Sequence, residues 1–250
     1  MICGTAINNS LYVDSDYSGL VGRIRSDVAE LHPQIQTVVL KNESLPASAI
    51  FPFLARKFLE LSLTGLLARI DPIRVISARK NQLDSSFEIG RQNSSSVAWT
   101  GDIFPNTKHP SGSIWESRCL DKGVERSALG WHFGEVAISP GLRWLADLDN
   151  TNSKWLRALG GQDKPFDWIK GRLAQLYSTL SKGVHAEYLL DDRAAFDKTA
   201  IEQHMQDSYM LVLLLATATH ISPLFLRSLP PDDALRMFKK IELQITTKGN

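Results

Sequence analysis

The chain has 250 residues, 43% of them hydrophobic and 22% charged, with a formal net charge of +1, which is an ordinary globular make-up. That near-neutral balance argues against a protein that coats nucleic acid or an anionic membrane with its whole surface, while leaving room for a local basic patch. Two cysteines, Cys3 and Cys119, supply no disulfide framework and fit a reducing compartment. No basic-then-apolar leader opens the chain, and the longest apolar run, 209–221, is too short to span a bilayer. The expectation is a cytoplasmic protein with no membrane partner.

Residues 1–14 carry no clear period. Asp14-Ser15-Asp16 offers caps for a first helix, along which Leu20, Val21, Ile24, Val28 and Leu31 recur at helical spacing until Pro33 stops the run. Residues 34–40 suit a short strand or a helical turn, and 42–46 suit a turn. The second helix is predicted over 48–70, with Pro52 in its first turn. Phe51, Leu54, Phe58, Leu61, Leu63, Leu66, Leu67 and Ile70 wrap most of its circumference, which predicts a central helix covered on several sides. Asp71-Pro72 breaks or bends it, because the residue before a proline avoids the helical region. A short basic continuation with Arg74, Arg79 and Lys80 follows.

From 81 to 113 the periodic signal weakens. The Pro-, Asn-, Ser- and Gly-bearing stretch 104–113 is the best loop candidate, and the candidate subdomain boundary in what reads as one helical domain over 1–250. Further helices are predicted around 114–128, from Ser139-Pro140 to about 148, and up to Gly160-Gly161, with Trp144 and Trp155 turned inward. Pro165 starts a helix bearing Phe166, Ile169, Leu173, Leu176, Tyr177 and Leu180. Asp191-Asp192 resembles a turn, Asp197 caps a helix over 198–220, and a last helix covers 232–243. No run of alternating strands is visible. The fold class is therefore all-α, an irregular helical bundle.

The densest set of reactive side chains lies in 177–188. Ser178, Ser181, Lys182 and His185 recur at spacings of three, four and seven, which puts them along one side of a helix. His185 suits proton transfer, and Lys182 with Ser181 suits contact with a phosphate or oxyanion. A purely structural reading has the serines bonded back to the helix, Lys182 solvated and His185 capping the helix C-terminus.

The pattern Tyr177-x-x-Leu180-Ser181-x-x-Val184-His185 resembles the terminal-helix motif of HEPN-like helical proteins of bacterial defence and abortive-infection type. The resemblance implies a HEPN-like bundle in the C-terminal half and metal-independent ribonuclease chemistry, often in a dimer. It makes His185 the catalytic histidine. The arginine of that family's signature falls on Ser178, Thr179 or Leu180 here, so only His185 carries over. Arg56, Arg69 and Arg172 are the arginines weighed as donors from elsewhere. Arg172 is on the helix of His185 but roughly 20 Å upstream of it.

Arg69, Arg74, Arg79 and Lys80 form a candidate nucleic-acid contact, with a solvated face as the plainer account. Arg69 is expected to pair with Asp71. His132 and Glu135 have helical spacing but no third ligand, and 147–150 lacks the Gly and Glu of a calcium loop. There is no Gly-rich phosphate loop, nucleophile elbow or paired-cysteine spacing, so neither a cofactor nor a metal is expected. Two functions remain. One is a HEPN-like component of a bacterial defence or toxin-type assembly that engages RNA, with ribonuclease chemistry at His185. The other is a non-catalytic helical protein-interaction subunit, in a complex with an ATPase or nuclease.

Overall fold

The computed structural model describes residues 1–4, 15–40, 45–85, 87, 132–148, 152–184, 196–226 and 228–247. Among these residues there are eight α-helices, one π-helical segment and no strand, an all-α bundle. In chain order they are α1 (Ser15–Leu40), α2 (Leu45–Ile70), α3 (Pro72–Leu83), a π segment (His132–Ile138), α4 (Ser139–Ala146), α5 (Lys154–Gly160), α6 (Pro165–Val184), α7 (Lys198–Ile221) and α8 (Pro231–Thr247). No described helix is long and apolar enough to cross a membrane. The predicted loop 104–113, the predicted helix around 114–128, Cys119 and Asp191-Asp192 lie outside the described residues.

Two helices form the centre. On α2, Phe51, Leu59, Leu63, Leu66 and Ala68 are fully buried, as its all-round apolar pattern requires. On α7, every residue from Met210 to His220 is buried. These two pack on each other, α1 and α6 flank α2, and α4 and α8 cover α7. Helices α4 and α7 approach each other closely. A Cβ on Gly141 would lie 2.3 Å from the Ala218 carbonyl oxygen, so only glycine allows this contact.

The first helix does not stop at Pro33. A proline inside a helix costs about 3 kcal/mol in lost bonding and steric clash. Here the turns on either side are held by burial, with Leu31 at 3% and Ile35 at 1% exposure. Thr37 Oγ1 also donates to the Pro33 carbonyl, at 2.8 Å. Residues 34–40 are accordingly helix rather than strand. The second helix starts earlier than expected, so Pro52 lies beyond its first turn, buried against α6. Ser139 is not a cap either. The π segment runs straight into α4, and Ser139 is buried without capping the helix.

Elsewhere the local signals match the ends. Asp71 accepts from the Arg74 amide at 3.1 Å and caps α3. Asp197 accepts from the Ala200 amide at 2.7 Å and caps α7. Ser153 accepts from the Leu156 amide to cap α5, and donates to Glu242 Oε1 at 2.8 Å, tying α5 to α8.

Candidate functional site

Helix α6 carries the 177–188 stretch only as far as Val184; His185, Glu187 and Tyr188 lie outside the described residues. Within the helix, Leu176 and Leu180 point into the core, Ser178 and Lys182 are exposed, and Ser181 is half-buried. Thr179 Oγ1 donates back to the Gln175 carbonyl at 3.0 Å, a local bond that leaves the helix intact.

The neighbour of this face is α2. The Tyr177 hydroxyl donates to Glu60 Oε1 at 2.7 Å, and Arg56 Nε donates to the same oxygen at 3.0 Å. The Arg56 guanidinium carbon stands 4.8 Å from the centre of the Tyr177 ring, a cation–π stack. Further along, a Cβ on Gly183 would come within 2.8 Å of Pro52 Cγ and 2.6 Å of Phe196 Cε2. Pro52, Arg56 and Glu60 form one stripe of α2 at spacings of four. Glu60 meets Tyr177 and Pro52 meets Gly183, so the two helices run antiparallel. Arg56 falls between those contacts along α2, with its guanidinium on the Tyr177 ring.

The electrostatics favour donors at this point. Burial, reinforced by the hydrogen bond to Glu60, pushes the Tyr177 hydroxyl up to about 12, so it keeps its proton. Burial works against the Arg56 charge, but hydrogen bonding to Glu60 and the contact with Tyr177 outweigh it, and the pKa is raised. A guanidinium and a phenol therefore converge on one carboxylate oxygen, and the half-buried Ser181 and exposed Lys182 follow about one turn later on α6.

Arg69 is a different case, and two expectations about it are overturned. It is 0% exposed, so it offers no surface to a nucleic acid. It does not pair with Asp71, whose carboxylate is taken by the Arg74 amide and by an ion pair to Arg74 Nε at 3.5 Å. Arg69 instead donates to the Leu226 carbonyl (2.9 Å), Thr219 Oγ1 (2.5 Å) and Ser228 Oγ (3.2 Å), with Phe225 5.5 Å from its guanidinium carbon. Burial lowers its pKa to about 10, which leaves it charged at neutral pH.

The rest of the basic group differs in exposure and partners. Arg74 is paired and half-buried, and Arg79 lies against α1, where a Cβ on Gly19 would be 3.4 Å from its Nη1. Lys80 is the exposed member. Arg172 is held by Asp207 at 3.1 Å, between the rings of Trp155 (5.3 Å) and Trp168 (5.5 Å). Of the three arginines considered as donors, only Arg56 is brought against the 177–184 face. The side chains of His132 and Glu135 lie outside those described, and no group of three metal-ligating side chains occurs among the described residues.

Sequence reasoning overlooked Glu60. Its signal was the spacing of four from Arg56 on one helix, the geometry of an ion pair. Nothing local announced Tyr177 as the second partner.

Comparison with protein-family models, curated proteins and solved structures finds no match to this chain.

Proposed function

We propose that the chain is an RNA-engaging helical component of a defence or toxin-type assembly, with a HEPN-like site built from two helices rather than one. His185 moves the proton, Lys182 and Ser181 contact the scissile phosphate, and Arg56 of α2 supplies the guanidinium that the motif in α6 lacks. The observation that supports this is the packing of α2 on α6, which stacks Arg56 on Tyr177, one helical turn before Ser181. A guanidinium is the better phosphate clamp, because its planar fork meets two oxygens at once. The chemistry is general acid–base catalysis with electrostatic stabilisation of the phosphoryl oxygens.

The test is cleavage of a structured RNA by the full chain in the presence of a chelator. Wild type is expected to cleave, His185→Ala to be inactive, and Arg56→Ala to be slowed by about 10- to 100-fold, the worth of one charge-assisted bond to phosphate. Equal residual cleavage by wild type and His185→Ala overturns the catalytic reading.

A second reading, the non-catalytic protein-interaction subunit, is supported by one feature at the same end of the bundle. Ile50 (43%), Phe53 (56%) and Val184 (38%) are exposed apolar side chains at the ends of α2 and α6 that meet at Pro52 and Gly183. On that reading wild type cleaves no RNA, and α2 and α6 present a partner-binding edge.

A further inference from the structure

His220 closes the apolar run of α7 and is 3% exposed, yet both ring nitrogens are in use. The Leu229 amide donates to Nδ1 at 3.0 Å, which makes Nδ1 an acceptor. Nε2 therefore carries the proton and donates to the Met1 carbonyl at 3.0 Å. Arg69 Nη2 lies 3.3 Å from the same Nδ1. The remaining bonds of Arg69 run to Leu226, Ser228 and Thr219, and the Leu226 amide donates back to the Arg69 carbonyl at 2.9 Å. The turn 222–230, of which 222–226 and 228–230 are described, leads from α7 into α8 and is thus seated on α2 through Leu226, Ser228 and Leu229 by Arg69 and a neutral imidazole.

Among the described residues, the charged and titratable groups around this imidazole are few. From α2 there is Arg69, and from the N-terminal segment the Met1 amino group. Tyr17 of α1 and Cys3 lie about Arg69, and Arg25 of α1 acts on the Met1 amino group. None is a carboxylate that would welcome a second positive charge.

We infer that His220 is an acid-sensitive latch: a proton on Nδ1 releases the turn 222–230 from α2. The reason is geometric. A proton there turns the acceptor into a donor that faces the Leu229 N–H and the Arg69 guanidinium, so three donors converge and two like charges meet in the core. Burial, with the Arg69 charge second, lowers the His220 pKa to about 4, against an ordinary value of 6.5. The released turn exposes the ring and restores its ordinary affinity for the proton. Opening is therefore independent of pH above about 6.5, and grows about tenfold per unit as pH falls from there to about 4, where the latched state takes the proton too.

The experiment is amide hydrogen exchange at Leu226 and Leu229 in the full chain from pH 8 to pH 4, corrected for intrinsic exchange. Wild type is expected to lose protection about tenfold per pH unit below 6.5, and His220→Gln to show no such slope. The same slope in His220→Gln, or none in wild type, overturns the latch. Should His220→Gln fail to fold, nitrogen-15 shifts of the wild-type imidazole decide. A ring protonated on Nε2 alone and titrating near 4 supports the latch, and one titrating at its ordinary value with the turn still protected refutes it.

Discussion

Arg56 and Arg69 belong to the same helix and face opposite fates. Arg69 is enclosed, and among the described residues its partners are carbonyls, hydroxyls and an imidazole, with no carboxylate. Arg56 keeps 27% of its side chain exposed, pairs with Glu60 and stacks on Tyr177. A charge held in the core by neutral dipoles is committed to architecture, since removing it leaves several buried acceptors without a donor. A charge at the surface beside a carboxylate contributes little to stability, so it can be given over to a ligand. Position along α2 thus separates a structural arginine from a candidate functional one, and mutations can break or sharpen that distinction.

The largest expected effect is at the buried end. Arg69→Ala strands acceptors on Thr219, Leu226 and Ser228 and opens a void, which is expected to cost about 3 kcal/mol or more in urea unfolding. A loss below about 1 kcal/mol would show that the turn 222–230 is held by other contacts. An intermediate effect is expected at Gly183→Ala. The new methyl group must displace the Phe196 ring or Pro52, both within 3 Å of it, and crowding of this kind costs about 1–3 kcal/mol. A methyl group in place of hydrogen also improves helix propensity by about 1 kcal/mol, so the net loss is expected near 1 kcal/mol. Because the crowding falls where α2 crosses α6, RNA cleavage is expected to drop in this variant as well. Unchanged stability and unchanged cleavage would together mean that this crossing does not set the geometry of the site.

Much of the frame was legible in the residues. The apolar circumference of α2 announced a central helix, and Asp71, Pro165 and Asp197 marked helix boundaries, because caps and prolines act within one turn of themselves. What failed was whatever depended on a distant partner. Pro33 reads as a stop until the burial of Leu31 and Ile35 is known, and that burial is a property of the packed bundle. Asp71 was the obvious mate for Arg69 in the chain, but Arg74, one turn into α3, claims it. Thr219, His220 and Leu226 are far away in sequence and carry no charge pattern that points to an arginine. The same limit applies to the site. The face formed by Ser178, Ser181 and Lys182 was readable from spacing alone, and Arg56 was one of three arginines weighed. Choosing it required the register of α2 on α6, which no local pattern encodes.

The smallest stability effect should coincide with a large functional one. Arg56→Ala removes a partly exposed partner of Glu60 at a spacing of four, and such pairs contribute less than about 1 kcal/mol. Urea unfolding of Arg56→Ala should therefore stay within about 1 kcal/mol of wild type, and raising the salt concentration should shrink the difference, because exposed charges are screened. Tyr177 retains its bond to Glu60 in this variant, so α6 stays in place and lost cleavage cannot be attributed to a displaced helix. If Arg56→Ala instead destabilised the chain as much as Arg69→Ala, the contrast between the two arginines would collapse. Arg56 would then be a second architectural charge, and the partner-binding reading of this end of the bundle would stand in place of the catalytic one.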